Sequence, residues 1–233
     1  MSGAVQHAEV HGWHLPLPPH RFGCMTHVEI LMLLQFIGIA AFAVSGALVA
    51  GERQMDWFGV MVLGVIVAVG GGTVRDLLLD VPVFWMAAPW YVLLAGCVAL
   101  ATIPFARFAH RVRRPVAIAD AVGLAVFVSL GTRKALEMET SGFVAVVMGV
   151  ITGIAGGVIR DVLANRTPTI LRKEVYALAA LCGALLFVFA DWMGLPPLLT
   201  FWISSGVVLI IRLLAIFYNW SIPTLKVEPG EQD

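Results

Sequence analysis

The fold class predicted by this sequence is an all-helical membrane protein built from an internal repeat, and three observations predict it. Of the 233 residues, 60% are apolar and 13% charged, with a mean hydropathy of +0.91, whereas soluble domains carry roughly 25% charged residues. The apolar residues gather into seven runs, each near the length of about 20 that a helix needs to cross a hydrocarbon core of about 30 Å. Finally, Gly70-Gly71-Gly72-Thr73-Val74-Arg75-Asp76 returns as Ala155-Gly156-Gly157-Val158-Ile159-Arg160-Asp161. The offset (160 − 75 = 85) holds without gaps from Gly38/Gly123 through Phe42/Phe127, Gly46/Gly131, Glu52/Glu137, Gly64/Gly149 and Tyr91/Tyr176 to Cys97/Cys182. Two copies of one unit were joined.

Because unpaired backbone amides are too costly in lipid, only helices and closed barrels cross it. The runs show no period-2 alternation, so they are expected to be helices. Residues 1–27 form a flexible tail with five of the six histidines, several prolines, and neither a basic leader nor an apolar core for a secretory signal. His7, His11 and His14 have helical spacing that suits a metal, but Pro16, Pro18 and Pro19 argue against a stable helix there. The first repeat, 28–110, holds expected spans at 28–50, 57–80 and 88–108. The second, 111–194, holds 115–133, 142–164 and 173–192. A seventh span at 197–218, within residues 195–220, has no counterpart, and residues 221–233 are a tail. Three crossings leave the chain on the side opposite its start, so the second repeat is expected to be inverted, about an axis in the membrane plane.

Loop charges set the orientation. Arg107, Arg111, Arg113 and Arg114 follow the third span, Arg166, Arg172 and Lys173 the fifth, and Arg53 the first. Asp80 and Asp191 follow the second and sixth, and Arg133 and Lys134 after the fourth are an exception. The positive-inside rule places the N-terminus outside and the C-terminus, with Lys226, in the cytoplasm. The net charge of zero offers nucleic acid no electrostatic footprint. Cys24, Cys97 and Cys182 form no paired framework.

Consecutive glycines weaken a helix by up to about 1 kcal/mol each. Gly70, Gly71 and Gly72, with Ala155, Gly156 and Gly157, are therefore expected to break the second and fifth spans somewhat past the bilayer midplane. Unwound backbone in a membrane must be buried in protein or line a wet cavity, so two such breaks predict a hydrated path. Each is followed by an Arg-Asp pair, and ionisable groups within spans default to a functional reading. Neighbouring side chains do not face each other on a helix. Arg75 is thus expected to pair with Asp161, and Arg160 with Asp76. Gln35, Ser45, Thr102, Asp120, Ser129, Thr152, Ser204, Ser205 and Arg212 are the other polar residues within spans. Ser45 and Ser129, one position apart in the aligned copies, are the side-chain candidates for lining the path, beside Thr73. Arg212 reads as an interfacial anchor, and Trp85, Trp90, Trp192, Trp202 and Trp220 as aromatic belts.

Gly71 to Leu79 also resembles the nucleotide-binding signature of CCA-adding tRNA nucleotidyltransferases. That chemistry requires upstream metal-binding carboxylates, a basic RNA surface and a soluble fold. With no Walker A motif, Ser/His/Asp set or CxxC either, an enzyme is not expected.

Gly70 to Leu79 followed by Pro82-Val83-Phe84-Trp85, and then Gly156 to Leu163, resemble the prokaryotic branch of the trimeric intracellular cation (TRIC) channels. Phe42-Ala43-Val44-Ser45-Gly46-Ala47 and Ala119-Asp120-Ala121-Val122-Gly123-Leu124-Ala125 are similar to that family as well. The resemblance covers about residues 28–220. It implies a seven-span protomer in a homotrimer in the prokaryotic inner membrane, each protomer holding its own pore, with K⁺ as the chief permeant ion, Na⁺ a second, and no cofactor. Departures are Ala155, where a third glycine is common, and Gln35, where an acidic residue is frequent. The alternative is a secondary transporter of a small solute such as glycine, a function also ascribed to these sequences. Contact of the Arg107 to Arg114 cluster with anionic lipid is a third reading.

Overall fold

The computed structural model describes residues 27–106, 113–172, 174–218 and 220. The histidine-rich leader, Arg107, Arg111, Lys173 and Lys226 lie outside them. The helices are α1 (His27–Glu52), α2 (Trp57–Leu78), α3 (Phe84–Ala87), α4 (Trp90–Ala106), α5 (Arg113–Glu137), α6 (Gly142–Leu163), α7 (Thr169–Arg172), α8 (Glu174–Trp192) and α9 (Pro197–Phe217). Six are long and apolar enough to cross a membrane, and α4 is a shorter apolar helix containing Pro104. No strand occurs among the described residues. The two short helices α3 and α7 have no counterpart in the sequence reading, because four residues are too few for a periodic signal.

The offset of 85 recurs in the local structure. Asp56 caps α2 by accepting from Gly59 N (2.7 Å), and Ser141 caps α6 by accepting from Val144 N (3.4 Å). Both side chains satisfy an amide that the first turn leaves unpaired. The left-handed residues also match: Gln54 with Glu139, and Asp80 with Asn165. Asp and Asn tolerate that conformation best among residues with a side chain.

The two repeats pack through equivalent residues. Phe42 of α1 stacks on Phe127 of α5 at 5.4 Å between centroids, and both rings are buried. Gly38 lies over Phe127 and Gly123 over Phe42, so closely that a methyl group at Gly123 would come within 2.6 Å of the ring. Between α2 and α6, a methyl at Gly71 would strike the Thr152 carbonyl oxygen, and one at Gly156 would come within 2.8 Å of the Val67 carbonyl oxygen. In each helix pair, residue numbers rise along one helix as they fall along the other. Each contact becomes its partner contact when every residue is exchanged for its repeat equivalent.

The expected glycine breaks are not observed. Helix α2 is helical through Gly70, Gly71 and Gly72, and α6 through Ala155, Gly156 and Gly157. Glycine withdraws at most about 1 kcal/mol per residue from the helix, whereas an unpaired buried amide costs about 2 kcal/mol or more. Winding therefore persists. The glycines remove side-chain bulk at the crossing instead, as small residues do between membrane helices. Ala155, which departs from the glycine pattern, is only half-buried.

Outward faces carry exposed Leu93, Phe105, Phe143 and Trp192, a surface suited to lipid. Cys97 and Cys182 are free and lie on exposed positions.

Candidate functional site

Two polar basins open into the helical assembly. The first, of about 340 Å³, is lined by Leu31, Met32 and Gln35 near the start of α1, Arg75 and Asp76 at the end of α2, and Leu130, Arg133, Lys134 and Glu137 at the end of α5. The second, of about 590 Å³, takes Glu52 and Arg53 from the end of α1, Arg113, Val116 and Asp120 from the start of α5, and Arg160 and Asp161 from the end of α6. Arg166, Thr169, Arg172 and Arg212 complete its wall. The basins thus sit at opposite ends of the α1–α5 pair. Between them lies the glycine crossing of α2 and α6.

Each basin ends on a buried Arg-Asp pair. In the first, Arg75 Nε donates to Asp76 Oδ1 (2.8 Å), and Asp76 Oδ2 accepts from Phe84 N (2.9 Å), tying α3 to α2. The Arg75 guanidinium lies 5.9 Å from the Phe84 ring centroid. Thr73 Oγ1 accepts from Trp85 Nε1 (2.9 Å), so Trp85 is held inward by α2 rather than serving as a free belt residue. In the second, Arg160 Nε donates to Asp161 Oδ1 (2.9 Å), and Asp161 Oδ2 accepts from both Thr169 N and Thr169 Oγ1 (2.8 Å each), tying α7 to α6. The short helices therefore exist as clamps on the two carboxylates.

The cross-pairs expected between repeats are corrected by this geometry. Arg75 and Arg160 each bind the aspartate beside them, because the long arginine stem folds back across the angle between neighbouring side chains. Asp161 and Asp76 line different basins, out of reach of the other repeat's arginine.

The basins differ in one respect that sequence reasoning missed. Arg160 Nη1 also donates to Asp120 Oδ1 on α5 and to Ser45 Oγ on α1, both at 2.6 Å. The repeat equivalents of Asp120 and Ser45's partner position are Gln35 and Leu130, so Arg75 has neither bond. Arg212 is no interfacial anchor. It is 2% exposed, stacks 4.6 Å from the Tyr176 ring centroid, and places Nη2 at 3.9 Å from Asp120 Oδ2. The available signal was Asp120 itself, the acidic residue aligned with Gln35.

Of the remaining candidates, Ser45 faces the second basin's arginine. Ser129 does not line a basin: its hydroxyl lies 2.9 Å from Ser204 Oγ and 2.8 Å from Ser205 Oγ, locking α5 to α9. Charge is uneven too. The second basin gathers six arginines against three carboxylates, the first three basic groups against two. Among the described residues no cluster of His, Cys, Asp and Glu is arranged to hold a metal.

The family model described as Glycine transporter matches residues 32–107 and again 117–192, both limits displaced by the repeat offset. The TRIC trimeric intracellular cation channel orthologue from Rhodobacter sphaeroides is 39% identical, superposes with a TM-score of 0.79, and covers 82% of this chain and 99% of its own. The chain belongs to the prokaryotic TRIC family. A prokaryotic TRIC channel solved in 0.5 M KCl is 34% identical with a TM-score of 0.79, over 84% of this chain and all of that one. The UPF0126 inner membrane protein YadS of Escherichia coli (strain K12) is 46% identical over 198 residues, 84% of this chain and 96% of that protein. The two solved relatives are named as channels and the third as an inner membrane protein.

Proposed function

We propose that the protein is a K⁺-permeable cation channel whose pore lies within each protomer of a homotrimer, in a prokaryotic inner membrane. The carrying observation is the pair of basins with charged floors at opposite ends of α1 and α5, with the glycine crossing and the Phe42/Phe127 stack between them. The reciprocal contacts about Phe42/Phe127 and Gly71/Gly156 support an inverted relation between the repeats, which would put one basin on each side of the membrane. A solved relative named a trimeric intracellular cation channel supports a cation as the cargo and the trimeric assembly.

In this reading Gly70, Gly71, Gly72, Gly156 and Gly157 form the constriction, and the observed packing is the closed state. Both helices stay wound, so their carbonyls remain committed to helical bonds. Selectivity then rests on the carboxylates and hydroxyls at the basin floors rather than on unwound backbone. Opening requires α2 and α6 to slide or separate, and at Gly71 and Gly156 the contact is with backbone carbonyls rather than an interlocking side-chain pair. Loop charge supports an external N-terminus and a cytoplasmic C-terminus, with Arg114 against lipid head groups. Na⁺ is a second permeant ion, and no cofactor is required.

A transporter of a small solute is the second reading, favoured by the description of the family model. Purified protein in planar bilayers under a K⁺/Na⁺ gradient separates the two. Unitary current steps with a reversal potential set by K⁺ support the channel. Silence together with saturable glycine uptake into liposomes replaces it with the transporter.

A further inference from the structure

The seventh spanning helix has no counterpart in the repeat, yet it delivers a cation to the floor of one basin and not to the other. Four charges meet there: Arg160, Arg212, Asp120 and Asp161. They sum to zero. The two arginines are held very differently. Arg160 is fixed by hydrogen bonds to three side chains on three helices. Arg212 has only a 3.9 Å approach to Asp120 Oδ2 and the face of Tyr176, and its Nε has no hydrogen-bond partner although the side chain is 3% exposed.

Asp120 therefore spends one oxygen on Arg160 and leaves the other facing a loosely held guanidinium. The Tyr176 hydroxyl is buried beside this carboxylate, short of a well-formed hydrogen bond. A carboxylate oxygen met only by a guanidinium at 3.9 Å, next to a phenolic oxygen, suits an alkali cation, which takes oxygen ligands. A guanidinium without bidentate geometry forgoes most of what such a pair can contribute.

We propose that Arg212 is a tethered plug: its guanidinium stands in for a permeating monovalent cation at Asp120 and Tyr176, and the ion binds there when the plug withdraws. This rests on the channel reading for its physiological meaning, but not for its test. Removing Arg212 changes the local sum from zero to minus one. A unit charge about 6 Å away alters cation occupancy by roughly threefold even in a water-like dielectric, and by more in a low-dielectric interior.

The test uses the full-length protein in detergent and in bilayers. Thermal unfolding is measured in KCl and in N-methylglucamine chloride at equal ionic strength. Arg212→Gln is expected to gain a K⁺-dependent rise in Tm that the parent lacks, because a ligand bound to the folded state stabilises it in proportion to occupancy. Arg212→Lys, which keeps the charge, should show no such gain, and Asp120→Asn combined with Arg212→Gln should abolish it. In bilayers at low K⁺, Arg212→Gln should pass at least roughly threefold more current than the parent. Equal K⁺ dependence of Tm in the parent and Arg212→Gln overturns the plug, whether or not either conducts. Absence of current in every variant, with the K⁺-dependent Tm retained, overturns the channel reading and leaves the cation site standing. Should Arg212→Gln not fold without K⁺, folding restored by K⁺ alone supports the site, and failure in both salts with Arg212→Lys intact overturns it.

Discussion

Substituting Gly71 by alanine separates a packing role for the glycines from a role in loosening the helix. An exposed helical glycine replaced by alanine gains up to about 1 kcal/mol of helix propensity. At Gly71 the new methyl would instead strike the Thr152 carbonyl oxygen of α6, a backbone atom that no rotamer change can move aside. Overpacking of this kind costs about 1–3 kcal/mol. Set against the propensity gain, the expected net loss is up to about 2 kcal/mol. For a chain of this size, a loss of about 2 kcal/mol lowers Tm by about 4–8 °C. Gly156→Ala, which meets the Val67 carbonyl oxygen at 2.8 Å, should fall by a similar amount. Gly206→Ala is the control, with nothing within 4 Å of the added carbon, and should hold or raise Tm. The assay is thermal unfolding of purified protein at one fixed scan rate. If Gly71→Ala and Gly156→Ala are as stable as Gly206→Ala, the close crossing of α2 and α6 is refuted.

Three further outcomes are expected. Arg160→Ala takes the arginine from Asp161 and leaves Asp120 only the 3.9 Å approach of Arg212, and should cost about 3–5 kcal/mol. Arg75→Ala, which takes the arginine from Asp76 alone, should cost less, and denaturant titration of both variants reads the difference. Asp161→Asn removes the acceptor shared by Thr169 N and Thr169 Oγ1. Amide exchange around α7 should accelerate while that around α3 stays protected, and Asp76→Asn should do the reverse. Neutralising Arg53 and Arg172 at the second basin's wall should raise K⁺ current in 0.1 M salt and leave it unchanged in 1 M, where the Debye length falls from about 10 Å to about 3 Å. An equal gain at both salt concentrations would rule out repulsion by the basic wall.

Much of the candidate site was legible from the repeat. Gly71, Arg75 and Asp76, and their equivalents Gly156, Arg160 and Asp161, stand out because charges and glycine clusters are costly in apolar runs. Their partners were not legible. Asp76 and Asp161 are clamped by the backbone of Phe84 and Thr169, on helices too short to leave a pattern. Asp120 was visible as a polar residue in a span, but nothing local reveals that α5 turns it toward Arg160 on α6. Arg212 sits near the end of its helix, where snorkelling is the usual outcome, and only the position of α8 places Tyr176 beneath it.

The sequence by itself determined the elements: lipid forbids unpaired amides, so apolar length fixed seven helices to within a few residues, and the offset of 85 fixed their kinship. Tertiary structure alone decided what the glycines and charges do. Helical winding is set locally, and the backbone kept it against a weak glycine penalty. Which carboxylate meets which arginine depends on how helices distant in sequence are oriented, and that orientation is a property of the packed whole.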